Sequence, residues 1–77
     1  MSTKEFVMST VAKAFGKDVS ELSEDTNLLE DLDAKSTNYF PIMNALEEKY
    51  DLDIQYQAFR TNQRTIGDII EMVESEI

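Results

Sequence analysis

Apolar residues recur at helical spacing in three stretches of the chain, and a long acidic stretch separates the first from the second. Phe6, Val7, Val11, Ala14 and Phe15 fall on helical spacing, which predicts a first helix over about Thr3–Phe15. Ser2 and Glu5 supply a capping box ahead of it, and Gly16 is a natural stop. Tyr39, Ile42, Met43, Leu46 and Tyr50 line one face of a second helix that ends near Tyr50, with Asn44, Glu47, Glu48 and Asp51 opposite. After Leu52 and Ile54, a brief third helix around Gln55–Arg60 would bury Tyr56 or Phe59. Thr65 with Asp68 opens a last helix, whose stripe of Ile66, Ile69, Ile70 and Val73 runs to about Glu76. Gly67 lowers that helix's intrinsic propensity slightly.

Pro41 bears on where the second helix begins. A proline in a helix interior lacks the N–H donor and clashes with the carbonyl four residues earlier, at a cost of ~3 kcal/mol. If Asn38 caps the helix, Pro41 falls in the first turn, where its missing donor has no partner to lose. Regular helix is therefore expected only after Asn38.

Lys17–Lys35 shows no sustained period, yet Val19, Leu22, Leu28, Leu29 and Leu32 recur among acids. Connections of that length are usually functional or held to the core by apolar anchors of their own. With no internal repeat and only 77 residues, the simplest organisation is a single all-α domain over 1–77.

Charge narrows the partners. The formal net charge is -9, which disfavours nucleic acid and anionic membranes and favours basic protein patches. Eleven acids lie between Asp18 and Asp53, whereas 54–67 holds none and carries Arg60 and Arg64. Neither a signal peptide nor a transmembrane run is visible, so a cytoplasmic monomer is expected.

The chain has no histidine and no cysteine. That removes imidazole and thiolate metal sites and every Cys/His or Ser/His nucleophile. Alternating acids at Asp31–Asp33 and Asp51–Asp53 hint at calcium loops. Counting from Asp31, however, the positions that need glycine and glutamate hold Ser36 and Ile42, and from Asp51 they hold Tyr56 and Asn62. Glu47 and Glu48 are neighbours on an exposed helix face with no evident burial, so an autonomous enzyme is not expected. Ser36, between the acidic loop and the second helix, is the residue best placed to be modified by an outside catalyst.

The order and spacing of these pieces resemble the acyl carrier protein family over essentially the whole chain. The matching features are the first helix, Leu28-Leu29-Glu30-Asp31-Leu32 with a serine four residues later, Ala45-Leu46-Glu47-Glu48-Lys49-Tyr50 followed by acids and Ile54, and Arg64-Thr65-Ile66-Gly67-Asp68-Ile69-Ile70. The resemblance implies a four-helix bundle with a long loop between helices 1 and 2 and a short third helix. It also implies 4′-phosphopantetheine, taken from coenzyme A and attached to Ser36 by a separate Mg²⁺-dependent phosphopantetheinyl transferase. The arm's thiol would hold acyl or related intermediates as thioesters for synthase, ligase or acyl-transferring partners. Glu30, Asp31, Asp33, Lys35, Phe40, Glu47 and Glu48 are the expected partner-binding residues. Leu28, Leu32, Ile42, Leu46, Ile54 and Ile69 are candidates for an acyl pocket, against their plain role as core.

Two departures stand beside the serine. The family places aspartate before it and leucine after it, whereas this chain has Lys35 and Thr37. They point to a specialised carrier with dedicated partners, or to a serine no longer modified. The alternative to a loaded carrier is an unmodified carrier-like bundle acting as an acidic protein–protein interaction module.

Overall fold

A computed structural model describes residues 2–77. Four helices follow one another: α1 (Thr3–Phe15), α2 (Ser36–Tyr50), α3 (Tyr56–Asn62) and α4 (Ile66–Glu76), with a 3₁₀ turn at Val19–Glu21 in the first connection. No strand is present among the described residues. The helix α1 packs against α2 and α4, and α3 packs on α2.

The end signals of α1 and α4 act as their sequences require. Ser2 Oγ accepts from the Glu5 N–H at 3.1 Å, and Glu5 Oε1 accepts from the Ser2 N–H at 3.1 Å. The bond from the Ser2 N–H, helped by the neighbouring Ser2 hydroxyl, holds the Glu5 carboxyl below its ordinary pKa. Gly16 takes the left-handed conformation, φ 64°, which lets the Lys17 N–H close back on the Ala12 carbonyl at 2.9 Å. Thr65 and Asp68 form the same reciprocal box at the start of α4.

The buried stripe of α1 is Val7, Met8, Val11 and Ala12, turned slightly from the expected one. Phe6, Ala14 and Phe15 are half-buried at its edge, where Phe6 meets Tyr50 edge-on at 5.6 Å between centroids. In α2 the buried face is Tyr39, Ile42, Met43 and Leu46. In α4 it is Ile66, Ile69, Ile70 and Val73. The short helix α3 runs slightly later than expected, with Gln55 at its cap, and Phe59 is its buried residue.

The start of α2 differs from expectation. It begins at Ser36, with Lys35 at the cap, rather than after Asn38. Asn38 decides this, because its Oδ1 accepts from the Lys35 N–H at 2.9 Å and its amide donates to the Ala14 carbonyl of α1 at 3.1 Å. It thereby satisfies one free donor at the new terminus and ties α2 to α1. Pro41 lies inside the helix on an exposed face. The carbonyl that loses its donor belongs to Thr37, itself exposed, so the cost falls well below that of a buried break.

The long connection is pinned at several points. Leu22, Leu28 and Ala34 are buried, and Leu29 and Leu32 are half-buried against the core. Val19 is not an anchor: it is 45% exposed on the 3₁₀ turn. The loop also pairs with the start of α4, where the Leu28 N–H donates to the Arg64 carbonyl at 2.9 Å and the Ile66 N–H to the Thr26 carbonyl at 3.1 Å. Gly67 sits where the loop comes close to the start of α4. Its N–H donates to the Glu24 carbonyl at 2.8 Å, and a Cβ there would come within 3.1 Å of that same oxygen.

Two exposed ion pairs, Lys4–Glu24 at 2.8 Å and Lys35–Asp33 at 3.0 Å, offset little of the charge. Sixteen acids face seven bases across a small surface, so repulsion opposes the compact state and salt screens it. The melting temperature is expected to rise from low to moderate ionic strength. A flat value across that range would overturn this account.

Candidate functional site

Ser36 is the first residue of α2, exposed, with Lys35 and Thr37 exposed on either side. Its position follows from the turn before it. Asp33 adopts φ 51°, the Ala34 N–H donates to the Leu28 carbonyl at 2.9 Å, and Ala34 is buried. With Ala34 held inward and Asn38 fixing the first helical turn, the serine is presented to solvent at a helix N-terminus. No acid lies in that first turn. The free N–H groups and the positive end of the helix dipole suit a phosphate there.

The expected partner-binding residues divide by what else they do. Glu30, Asp33, Lys35 and Glu48 are exposed, and Lys35 Nζ pairs with Asp33 at 3.0 Å. Asp31 is exposed too, but its Oδ2 accepts from the Asn27 N–H at 2.7 Å, closing the turn in which Asn27 Oδ1 accepts from Leu29 and Glu30. Glu47 is half-buried. Its Oε2 accepts from the Ile54 N–H at 3.0 Å, so it shapes the connection between α2 and α3. Phe40 is 48% exposed and stacks at a tilt on Tyr56, 5.1 Å between centroids.

Of the six candidate pocket residues, Leu28, Ile42, Leu46 and Ile69 are fully buried in one core, while Leu32 and Ile54 are half-buried at its border. Ile54 lines a surface cleft of about 240 Å³ with Leu52, Ala58, Phe59 and Met72. Among the described residues no three carboxylates converge on one point, and no helix is long and apolar enough to cross a membrane.

The whole length of the chain has known relatives. It is 33% identical over 75 residues to the acyl carrier protein of Chlamydia caviae, covering 97% of this chain and 96% of that protein. The chain belongs to the acyl carrier protein family. Identity to the acyl carrier protein of Streptococcus pneumoniae serotype 4 is 29% over 76 residues, 99% of this chain and 97% of the relative. The acyl carrier protein of Lactococcus lactis subsp. cremoris is 29% identical over 75 residues, 97% of each chain. No protein-family model matches. Carriers of this family are not catalysts; they typically bear phosphopantetheine and serve partner enzymes. The all-α, four-helix architecture agrees with that membership.

Two side chains do more in the fold than their place in the sequence suggests. Asn38 sits three positions after the cap, where a side-chain acceptor can reach back, and that spacing was its signal. Tyr39 reads as one more apolar position in the stripe, although its hydroxyl has no hydrogen-bond partner among the described residues.

Proposed function

We propose that this protein is a specialised acyl carrier, bearing 4′-phosphopantetheine on Ser36 and handing thioester-bound acyl groups to dedicated enzymes. The observation that carries the reading is the placement of Ser36: an exposed hydroxyl on the first residue of a helix whose opening turn holds no acid. The residues present suit the group. Backbone N–H groups of the first turn and the Lys35 ammonium would face its phosphodiester, and a transferase would supply the base that the serine lacks. The arm supplies a thiol to a chain with no cysteine.

The partner surface in this reading combines Glu30, Asp31, Asp33 and Glu48 with Lys35 and Phe40 close to the serine, while Glu47 contributes through the shape of the α2–α3 turn. Lys35 and Phe40 make the surroundings of Ser36 less acidic than the loop, which suits partners chosen for this carrier. The core around Leu28, Ile42, Leu46 and Ile69, bordered by Leu32 and Ile54, is the apolar interior that would part for an acyl chain. Its closure in the folded chain implies that opening is coupled to loading.

Incubation with coenzyme A, Mg²⁺ and a broad-specificity phosphopantetheinyl transferase should add the mass of one phosphopantetheinyl group, and Ser36→Ala should abolish the addition. If residue 36 stays bare with a transferase that modifies a control carrier, the loaded-carrier reading fails. The acidic interaction module is then what remains.

A further inference from the structure

One part of the surface reverses the charge of the rest. Sixteen acids are spread through the 77 residues, yet 34–46 and 54–67 contain none, and the second stretch carries Arg60 and Arg64, both exposed. The two acid-free stretches meet where Phe40 of α2 lies on Tyr56 of α3. Along α3 the exposed residues beside Arg60 are uncharged: Gln57, Ala58, Thr61 and Asn62. Neither arginine forms an ion pair among the described residues; the two pairs that do form use Lys4 and Lys35. Burial pushes the Tyr39 phenol above its ordinary pKa while Arg60 and Arg64 pull it back, so both guanidinium groups stand near one buried ring.

These groups are held in position. Arg60 Nη1 donates to the Tyr56 hydroxyl at 3.3 Å, and Arg64 Nε donates to the Thr61 carbonyl at 3.4 Å. Each bond uses a single N–H of its guanidinium, so the planar group is fixed while its other donors can take a carboxylate. Tyr56 is half-buried, and Phe40 lies on it with centroids 5.1 Å apart while staying 48% exposed. A lone exposed apolar side chain is ordinary surface. Two adjoining aromatic rings and two arginines, on segments that lack acids, have instead the composition of the centre of a protein–protein interface. Rings and guanidinium groups that are already fixed lose little freedom when a partner arrives.

We infer that Phe40, Tyr56, Arg60 and Arg64 form a docking surface for an acidic protein segment, which sets an apolar side chain against the rings and carboxylates against the guanidinium groups. Charge selects this occupant. A basic segment finds no carboxylate in either stretch, whereas an acidic one meets fixed donors that can grip a carboxylate with two bonds at once. A long polyanion such as nucleic acid is turned away by the net charge of -9. A short segment touches this face alone, and at ~0.15 M salt the acids more than about 8 Å away are largely screened from it. The surface is opposite in sign to the acidic loop proposed to meet basic partners, and it stands whether or not Ser36 bears an arm. Phe40 lies one turn beyond Ser36 on the same face of α2, so a segment seated there also covers the surroundings of the serine.

The test titrates the isotope-labelled full chain, unloaded and at physiological salt, with two synthetic helical peptides. Both have one face of leucines with a single tryptophan, and they differ only in carrying glutamates or lysines around it. The glutamate peptide should shift the amide signals of Phe40, Tyr56, Arg60 and Arg64 saturably, and the lysine peptide should leave those four in place. Reversing both charges in Arg60→Glu/Arg64→Glu should weaken the glutamate peptide by about tenfold or more, the scale of interface anchors, and Phe40→Ser should weaken it as well. Both arginines are exposed, and the amide spectrum shows whether the double variant is folded; if it is not, Arg60→Gln and Arg64→Gln singly make the same comparison. No saturable shift with the glutamate peptide overturns the inference. So does an affinity that the arginine variants leave unchanged, or a lysine peptide that shifts the same four residues.

Discussion

Replacing Phe59 by alanine is expected to lower the unfolding free energy by about 3–5 kcal/mol. Phe59 is 1% exposed and is the buried residue of α3. A helix of seven residues has no independent stability in water, so packing on α2 is what keeps it formed. Removing the ring leaves a cavity beside Tyr39, whose edge contact with Phe59 is lost. A domain of this size has about 4–12 kcal/mol in total, from roughly 0.05–0.15 kcal/mol per residue, so the loss is a large share. Urea unfolding followed by circular dichroism measures it directly, and a change below about 1 kcal/mol would mean that α3 is not held in this way.

Lys35→Asp should accelerate modification of Ser36 on the order of tenfold in kcat/KM with a broad-specificity transferase, and the gain should shrink as salt is added. The substitution swaps a cation for an anion one residue from the acceptor hydroxyl, which favours encounter with a basic docking face. It also has a structural consequence of known sign. Lysine at the cap has no acceptor for the N–H groups of the first turn, and the structure shows no side-chain cap bond there; aspartate supplies one, typically worth ~1 kcal/mol. The exposed pair between Lys35 and Asp33 is lost, at little cost. A higher melting temperature without faster modification would show that Lys35 matters to the helix alone. A slower reaction would mean that transferases recognise this carrier through its cation.

Much of the architecture is legible in the chain because its signals are local. Ser2 with Glu5, Gly16, and Thr65 with Asp68 each satisfy terminal N–H or carbonyl groups within a few residues, and each works in the fold as its spacing suggests. The candidate site is legible to the extent that Ser36 follows an acidic loop and precedes a helix. Its surroundings are less so, since Glu47 and Asp31 read as free surface acids yet hold backbone N–H groups in turns.

Local rules mislead wherever a distant partner changes the cost of a choice. Pro41 argues for a late start to α2, yet the Ala14 carbonyl, from another helix, secures Asn38 and draws the start back to Ser36. Gly67 looks like a weak helix position until the Glu24 carbonyl arrives 2.8 Å from its N–H. Val19 looks like an anchor but stands in solvent, while Ala34 goes inside. The sequence by itself determines the four helices, the acidity and the absence of any native thiol or imidazole, since spacing and composition are properties of the chain alone. Tertiary structure decides where α2 begins, which acids also hold backbone N–H groups, and that the Tyr39 hydroxyl finds no hydrogen-bond partner among the described residues, because desolvation and hydrogen-bond satisfaction depend on what lies across the core.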